Sequence, residues 1–242
     1  MDNASVAAAN AATTVQLQAD VEAQRVLRDG GTYAFQVRRP SELTTAQRRA
    51  VWDIFEQNMR QSYVDSSFGW NPKEKKAELF HDDARYIIAT RLTESSESAP
   101  TTRSGKAGAL AGYVGFRFDT EETISGDLEP VMYCYELQVS KAAQRTGLGS
   151  ALIQDMESLA ATWKLDKVML TCFLANSSAL AFYRHSGFTP DPTSPSQTIS
   201  LGYPPTGEAA ETDETDGEWE DEQEDTEYDY EILSKVVVAR IS

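Results

Sequence analysis

The sequence has 242 residues, of which 40% are hydrophobic and 25% are charged. These values fit one large or two small globular domains, and they exclude a fibrous or wholly disordered protein. No apolar run approaches the length that crosses a membrane, and the N-terminus lacks the basic and apolar regions of a secretory signal.

The formal net charge of −16 is concentrated in one segment. Asp and Glu occupy 14 positions between Glu208 and Glu231, where there is no Lys or Arg, so the rest of the chain carries −2. This nearly neutral body lacks the clustered basic residues that nucleic-acid binding needs, and we expect no direct nucleic-acid partner. A run of like charge is usually a disordered, solubilising insert, but this one also suits a cationic partner.

The first 32 residues are predicted to form an N-terminal extension. Residues 1–14 are small and polar, which is typical of disorder. Over 15–28, apolar residues at irregular intervals allow a weak helix.

From residue 33 onward, predicted strands and helices follow the pattern of an α/β domain. Helices are indicated over 44–63, from the Asn71-Pro72 start signal to about residue 80, and over two later segments at 148–163 and 177–186. Residues 93–108 are too polar to pack and predict a long hairpin loop. Strands are predicted over 33–38, 85–92, 110–118, 131–139, 167–174 and 229–239.

The two cysteines, Cys134 and Cys172, lie in apolar, strand-like stretches. Their spacing matches neither a zinc site nor a disulfide framework, so they are interpreted as reduced core residues of an intracellular protein. His81 and His185 have no metal-ligand partners nearby in sequence and are expected at the surface.

A glycine loop follows the predicted strand that ends at Val139. It reads Gln144-Arg145-Thr146-Gly147-Leu148-Gly149 and opens a helix. Glycines allow close approach of the backbone to a ligand, and free N–H groups at a helix start favour phosphate oxygens, so a pyrophosphate site fits. The P-loop ending and the three-glycine dinucleotide fingerprint are both absent, and a plain strand-to-helix turn is the alternative.

A second motif follows about thirty residues later. Its residues are Asn176, Ala179, Phe182, Tyr183, Gly187 and Phe188. Together with the glycine loop, this motif resembles the two signature motifs of the GNAT acetyltransferase superfamily. The resemblance implies a GNAT acyl-CoA N-acyltransferase fold over 33–242, an α/β architecture with a mixed, splayed sheet flanked by helices. The domain would contain a disordered acidic insert at about 204–229. The resemblance also implies that acetyl-CoA is the acetyl donor and that no metal is needed.

Glu136 is the candidate general base. It lies in the strand just before the glycine loop, and an amine must lose a proton to attack a thioester. Strand alternation predicts Tyr133 and Tyr135 on one face and Cys134 and Glu136 on the other. The alternative is a solvated glutamate on a half-buried strand.

The resemblance also assigns the donor site. Tyr183 would protonate the departing thiolate, although it is also a plausible core aromatic. The implied acetyl-CoA contacts are Gln138, Val139, Ser140, Gln144, Arg145, Thr146, Gly147, Leu148, Gly149, Ser150, Ala151 and Asn176.

Further segments resemble the N-alpha-acetyltransferase D family, which acetylates the N-terminal serine of core histones four and two-A. They include Asn58-Met59-Arg60-Gln61-Ser62-Tyr63, Gly69-Trp70, Phe116-Arg117-Phe118-Asp119, Tyr133-Cys134-Tyr135-Glu136 and Tyr230-Glu231-Ile232-Leu233-Ser234. Substrates of that family begin Ser-Gly-Arg-Gly, and carboxylates suit the arginine. Phe68 departs from the family, which more often has tryptophan there. The implied substrate contacts are Tyr63, Asp119, Glu121, Tyr133, Tyr135, Thr171 and Tyr230.

Two other functions stay open from sequence alone. One is a GNAT enzyme that acetylates lysine side chains or a small amine, and the other is a non-catalytic, acidic histone-binding protein. For the preferred enzyme we expect histone tails as partners, no membrane partner, and a location in the nucleus and the cytoplasm. Association with the ribosome stays open.

Overall fold

The computed structural model describes residues 4–93, 106–198 and 228–237. The predicted loop over 93–108 lies outside the described residues except at 93 and 106–108. The predicted acidic insert over about 204–229 lies outside them except at 228 and 229. Among the described helices, none combines the length and the apolar character that spanning a membrane requires.

A mixed β-sheet of eight described strands forms the centre of the fold, in the order β1-β2-β3-β4-β5-β6-β8-β7. Neighbouring strands are antiparallel except β5 and β6, which are parallel. The sheet confirms the predicted fold class. The strands are β1 Gln24–Val26, β2 Thr32–Arg38, β3 Arg85–Thr93, β4 Lys106–Glu122, β5 Leu128–Val139, β6 Lys167–Phe173, β7 Thr189–Pro190 and β8 Tyr230–Val236.

Helices cover both faces of this sheet. On one face α5 packs into the larger core cluster, and on the other α3 and α4 enclose a smaller cluster around Phe55 and Tyr86. The Asn71 side chain accepts hydrogen bonds from the first turn of α4, as the start signal predicted. The described helices are α1 Ala4–Ala11, α2 Thr14–Gln18, α3 Thr45–Val64, α4 Pro72–Leu79, α5 Leu148–Thr162, α6 Ser177–His185 and α7 Pro195–Thr198.

The N-terminal extension is more ordered than its composition predicted. Residues 4–11 form helix α1 instead of a disordered tail, and Ala9 and Leu17 are fully buried in the larger cluster. Alanine is the best helix former, and its small side chain lets α1 approach the sheet closely. The weak helix predicted over 15–28 is only the short α2, because the chain then enters β1, whose Arg25 pairs with buried Asp155 of α5.

A β-bulge in β5 corrects the predicted strand alternation. Opposite β4, Cys134 pairs with Phe116 and Glu136 pairs with Gly115, so Tyr135 is an extra residue. Cys134 faces the α5 side, but after the bulge it is Leu137 that packs on that side. Cys134 and Glu136 therefore do not share a face, and Glu136 points toward α4 instead.

Both cysteine thiols are free and buried, as predicted for core residues. Burial raises the pKa of each thiol, which keeps both protonated near neutral pH. His81 and His185 are exposed, also as predicted.

Candidate functional site

One large cavity opens where the two parallel strands part. Pairing between β5 and β6 ends at Cys134 and Leu170, although both strands continue beyond that point. The gap widens into a cavity of about 1140 Å³, lined by residues of α3 through α6. The sheet is thus splayed, and none of the described strands pairs with β5 beyond Cys134 on the β6 side.

The glycine loop forms one end of this cavity. Arg145 and Gly147 both have positive φ, at 65° and 91°, and the second value favours glycine. Gly149 is needed for packing, because an added Cβ would lie 3.1 Å from the Phe182 ring of α6. Of the predicted donor contacts, the cavity is lined by Gln138, Val139, Gln144, Arg145, Gly147, Leu148, Gly149, Ser150 and Asn176.

Three predicted donor contacts, Ser140, Thr146 and Ala151, are not among the residues that line the cavity, and the contacts described for them lie within the loop and the core. The hydroxyl of buried Thr146 donates to the Ala143 carbonyl. The Ser140 carbonyl accepts from the amides of Ala143 and Gln144, and Ala151 is buried in the core. These residues hold the shape of the loop and its helix.

Asn176 lines the cavity and also caps α6. Its side-chain oxygen accepts a hydrogen bond from the Ala179 amide. The asparagine of the second motif therefore has a local structural reason, as the N-cap of α6.

Glu136 lies in the cavity wall, with only 5% of its surface exposed. Its Oε1 is 2.9 Å from Nζ of Lys75 in α4. Its Oε2 accepts a 2.7 Å hydrogen bond from the Gln138 amide, and the Gln138 oxygen accepts from Asn58 of α3. The alternative of a solvated glutamate is therefore wrong, because this carboxylate is buried and hydrogen-bonded.

Tyr183 of α6 lines the same cavity, with only 8% of its surface exposed. Its ring packs against Phe182 and Phe188. Burial raises the pKa of its phenol well above the usual value, so the hydroxyl keeps its proton at neutral pH. Its two predicted roles, core aromatic and proton donor, are compatible in this position.

Aromatic side chains form the opposite end of the cavity. Tyr63 packs edge-on against Phe173 at 5.1 Å, and Phe68 contacts both Phe173 and Tyr230. The cavity is lined by the predicted residues Tyr63, Tyr133, Tyr135 and Thr171, whereas Tyr230 contributes through Phe68. The Tyr133 and Thr171 hydroxyls are 2.6 Å apart and fix one wall.

The acidic pair Asp119 and Glu121 lies near the end of β4, and alternation places both on one face of that strand. Glu121 lines the cavity, whereas Asp119 does not. Burial and then the neighbouring Asp119 raise the pKa of Glu121. Within the described part of the chain neither carboxylate forms an ion pair, so the two repelling charges suit an incoming cation.

Three cavity residues were assigned no role from the sequence: Lys75, Asn58 and Phe173. Asn58 begins one of the segments that carry the family resemblance, but each of the three reaches the site only through packing of distant elements. The burial of Lys75 together with Leu79 in α4 is visible only in the structure. Across the described residues there is no cluster of three or more His, Cys, Asp or Glu that suits a metal ion.

A mixed sheet whose parallel strands part over a cleft, with a glycine loop at one end, is the architecture of an acyl-group transferase. The chain belongs to the acetyltransferase (GNAT) family, whose sequence profile matches residues 51–188, more than half of the chain. It is therefore a GNAT acetyltransferase, and enzymes of this family use acetyl-CoA.

The fold is similar to that of three solved structures of low identity. The GNAT domain of S. lividans PAT is 16% identical, with a TM-score of 0.49 over 89% of this chain and 96% of that chain. The ribosomal-protein-S18-alanine N-acetyltransferase from Escherichia coli is 16% identical, with a TM-score of 0.42 over 84% and 94%. Arabidopsis thaliana NAA60, in complex with a bisubstrate analogue, is 18% identical, with a TM-score of 0.42 over 65% and 84%.

Proposed function

We propose that this acetyltransferase is an N-alpha-acetyltransferase that modifies the N-terminal serine of core histones four and two-A. On this proposal its partners are acetyl-CoA and basic histone tails, met in the nucleus and the cytoplasm. The observation that carries the proposal is one cavity lined by a glycine loop, by Glu136 and Tyr183, and by the acidic residue Glu121, which has no ion pair among the described residues.

The donor end fits coenzyme A. The Gly147 position is left-handed, and a helix start leaves its first amides free for phosphate oxygens. Arg145 at the same loop supplies positive charge. Beyond Cys134, the unpaired edge of β5 offers backbone groups to an extended, amide-bearing chain and an N–H to the polarised thioester carbonyl.

Glu136 and Tyr183 would handle the two protons of a direct transfer. As the C–N bond forms, the attacking amine loses a proton to the Glu136 carboxylate. As the C–S bond breaks, the departing sulfur takes a proton from the Tyr183 phenol. An α-amine has a pKa near about 8, so a carboxylate held in place is a sufficient base.

The acceptor end fits a short N-terminal sequence with an arginine. Aromatic walls at Tyr63, Tyr133 and Tyr135 leave room for small first residues. The carboxylates of Asp119 and Glu121 would bind the guanidinium of the third residue. A lysine at that position would lack the planar fork that a pair of carboxylates recognises.

Peptide acetylation distinguishes this proposal from its rivals. The panel contains a Ser-Gly-Arg-Gly peptide that also holds a lysine, the same peptide with a blocked N-terminus, and the same peptide with alanine third. We expect labelled acetate only on peptides with a free N-terminus, and most on the arginine peptide. Label on the blocked peptide would identify a lysine acetyltransferase, and no label on any peptide, with binding retained, would identify a histone-binding protein.

A further inference from the structure

Lys75 is an unusual residue for a cavity wall. It lies in α4, and only 8% of its surface is exposed. Its Nζ is 2.7 Å from Glu78 Oε1 and 2.9 Å from Glu136 Oε1. The rings of Tyr63 and Phe55 lie 5.1 and 5.3 Å from the same nitrogen. Burying a lysine is costly, so a buried lysine needs compensating partners.

Glu136 needs a counter-charge as much as Lys75 does. A buried carboxylate without one holds its proton at neutral pH and cannot act as a base. Burial alone would also lower the pKa of Lys75, but Glu136, and then Tyr63 and Glu78, raise it above its ordinary value. The ammonium therefore stays charged beside the carboxylate.

We propose that Lys75 is a positioning residue for Glu136, because its ammonium fixes the carboxylate in the cavity wall and supplies its counter-charge. This inference rests on the proposed role of Glu136 in acetyl transfer. Lys75 does not take the proton itself.

The surroundings of Glu136 leave that task to Lys75. The described titratable groups whose pKa values Glu136 influences include Tyr63 of α3, Lys75 of α4, Tyr86 of β3, Tyr113 of β4, Cys134 of β5 and Tyr183 of α6. Of these, Lys75 is the cation, and its Nζ forms the described ion pair with Glu136. Two other charged groups lie in this region: Glu78, which also pairs with Lys75, and Arg117 of β4, which donates to the Glu78 carbonyl. Each tyrosine and the thiol are neutral near pH 7, because burial raises their pKa values.

The geometry also leaves Glu136 able to accept a proton. A carboxylate has about four acceptor positions. Lys75 uses one on Oε1, and Gln138 uses one on Oε2. Asn58 holds Gln138 in turn, so α3 and α4 both fix the carboxylate, and each oxygen retains a position for the substrate amine.

The test compares Lys75→Met with Lys75→Arg and with Lys73→Met, a control at an exposed lysine of the same helix. For Lys75→Met we expect the acid limb of the kcat profile to move up by about one pH unit or more. At pH 7 kcat should fall at least about tenfold, with a much smaller change in KM. Lys75→Arg should retain most of the activity and the wild-type profile, and Lys73→Met should match wild type.

A direct titration gives a readout that does not depend on the acceptor. The carboxyl carbon of Glu136, assigned in NMR spectra by its loss in Glu136→Gln, should titrate at higher pH in Lys75→Met than in wild type. An unchanged titration and an unchanged kcat profile in folded Lys75→Met would overturn the proposal. So would a Lys75→Arg variant as impaired as Lys75→Met.

Two further controls keep the result interpretable. If Lys75→Met does not fold, Lys75→Gln replaces it, because its amide donates hydrogen bonds without charge, and the same profile is expected. Kinetics are measured with the free-N-terminus and blocked peptides. Activity on the blocked peptide alone would overturn the proposed N-terminal specificity, whereas the Glu136 titration would still decide the role of Lys75.

Discussion

The two ends of the cavity are built in different ways. The donor end comes from one continuous stretch, the end of β5, the glycine loop and the start of α5, with α6 packed against it. The acceptor end joins elements that are far apart in sequence. Ser67 and Asp229, 162 residues apart, share two hydrogen bonds there.

This difference separates a common function from a particular one. A contiguous loop can bind the same donor in many proteins, because its geometry depends on few other residues. The acceptor end depends on how α3, β4, β5, β6 and β8 pack against one another. Small changes in that packing alter which amine fits. The donor end is therefore readable as a motif, and the acceptor end carries specificity.

The largest expected effect lies where the two ends meet. Glu136→Gln should lower kcat by about a hundredfold or more, because the amide cannot accept the proton. Coenzyme A affinity should be unchanged, since the donor end is intact. Steady-state kinetics and calorimetric titration with coenzyme A measure the two effects, with Glu74→Gln, an exposed glutamate of α4, as control. Wild-type kcat in a folded variant would remove Glu136 from the mechanism.

A smaller, selective effect is expected at the acceptor end. Replacing Asp119 by Asn and Glu121 by Gln together should raise KM for a Ser-Gly-Arg-Gly peptide about tenfold or more, because a charged hydrogen-bonded pair is lost. The peptide with alanine third should be affected little. Exposed Glu122→Gln serves as control, and equal losses on both peptides would assign the pair to structure.

The same pair predicts a pH dependence. The pKa of Glu121 is raised by burial and by Asp119, so this carboxylate gains a proton sooner than usual as the pH falls. The KM advantage of the arginine peptide over the alanine peptide should therefore shrink with acidification and vanish in the double variant. KM values for both peptides across the acidic range, in wild type and variant, test this expectation.

At the donor end, Gly147→Val should weaken coenzyme A binding by about tenfold or more. A β-branched residue is strained at a φ of 91°, and its Cβ would lie 3.4 Å from the Arg28 side chain. Gly126→Val is the matched control, since Gly126 has a φ of 83° in the exposed turn before β5. If both variants bind coenzyme A like wild type, the loop is an ordinary turn.

The features that the sequence predicts are those built from neighbouring residues, and the features that it misses depend on packing between distant elements. Helices α3 and α4 and the central strands were predictable because their apolar periodicity and caps are local. The bulge at Tyr135 was not, because it depends on register with β4, and it reversed the predicted relation of Cys134 and Glu136. The Lys75 contact was also unpredictable, since it requires α4 to pack over β5.

The smallest effect is expected from the acidic segment, and it would show whether the acceptor end extends beyond the cavity. The described residues that follow this segment, Asp229 and Tyr230, contact Ser67 and Phe68 beside the aromatic wall at the acceptor end. Replacing Asp and Glu over 208–226 by Asn and Gln keeps the length and removes the charge. We expect kcat/KM to fall a few-fold on a long basic tail and little on a four-residue peptide, because only the tail carries enough charge for steering. The difference should shrink as salt rises, since the Debye length falls from about 10 Å at 0.1 M to about 3 Å at 1 M. Unchanged kinetics on the long tail at low salt would limit recognition to the cavity.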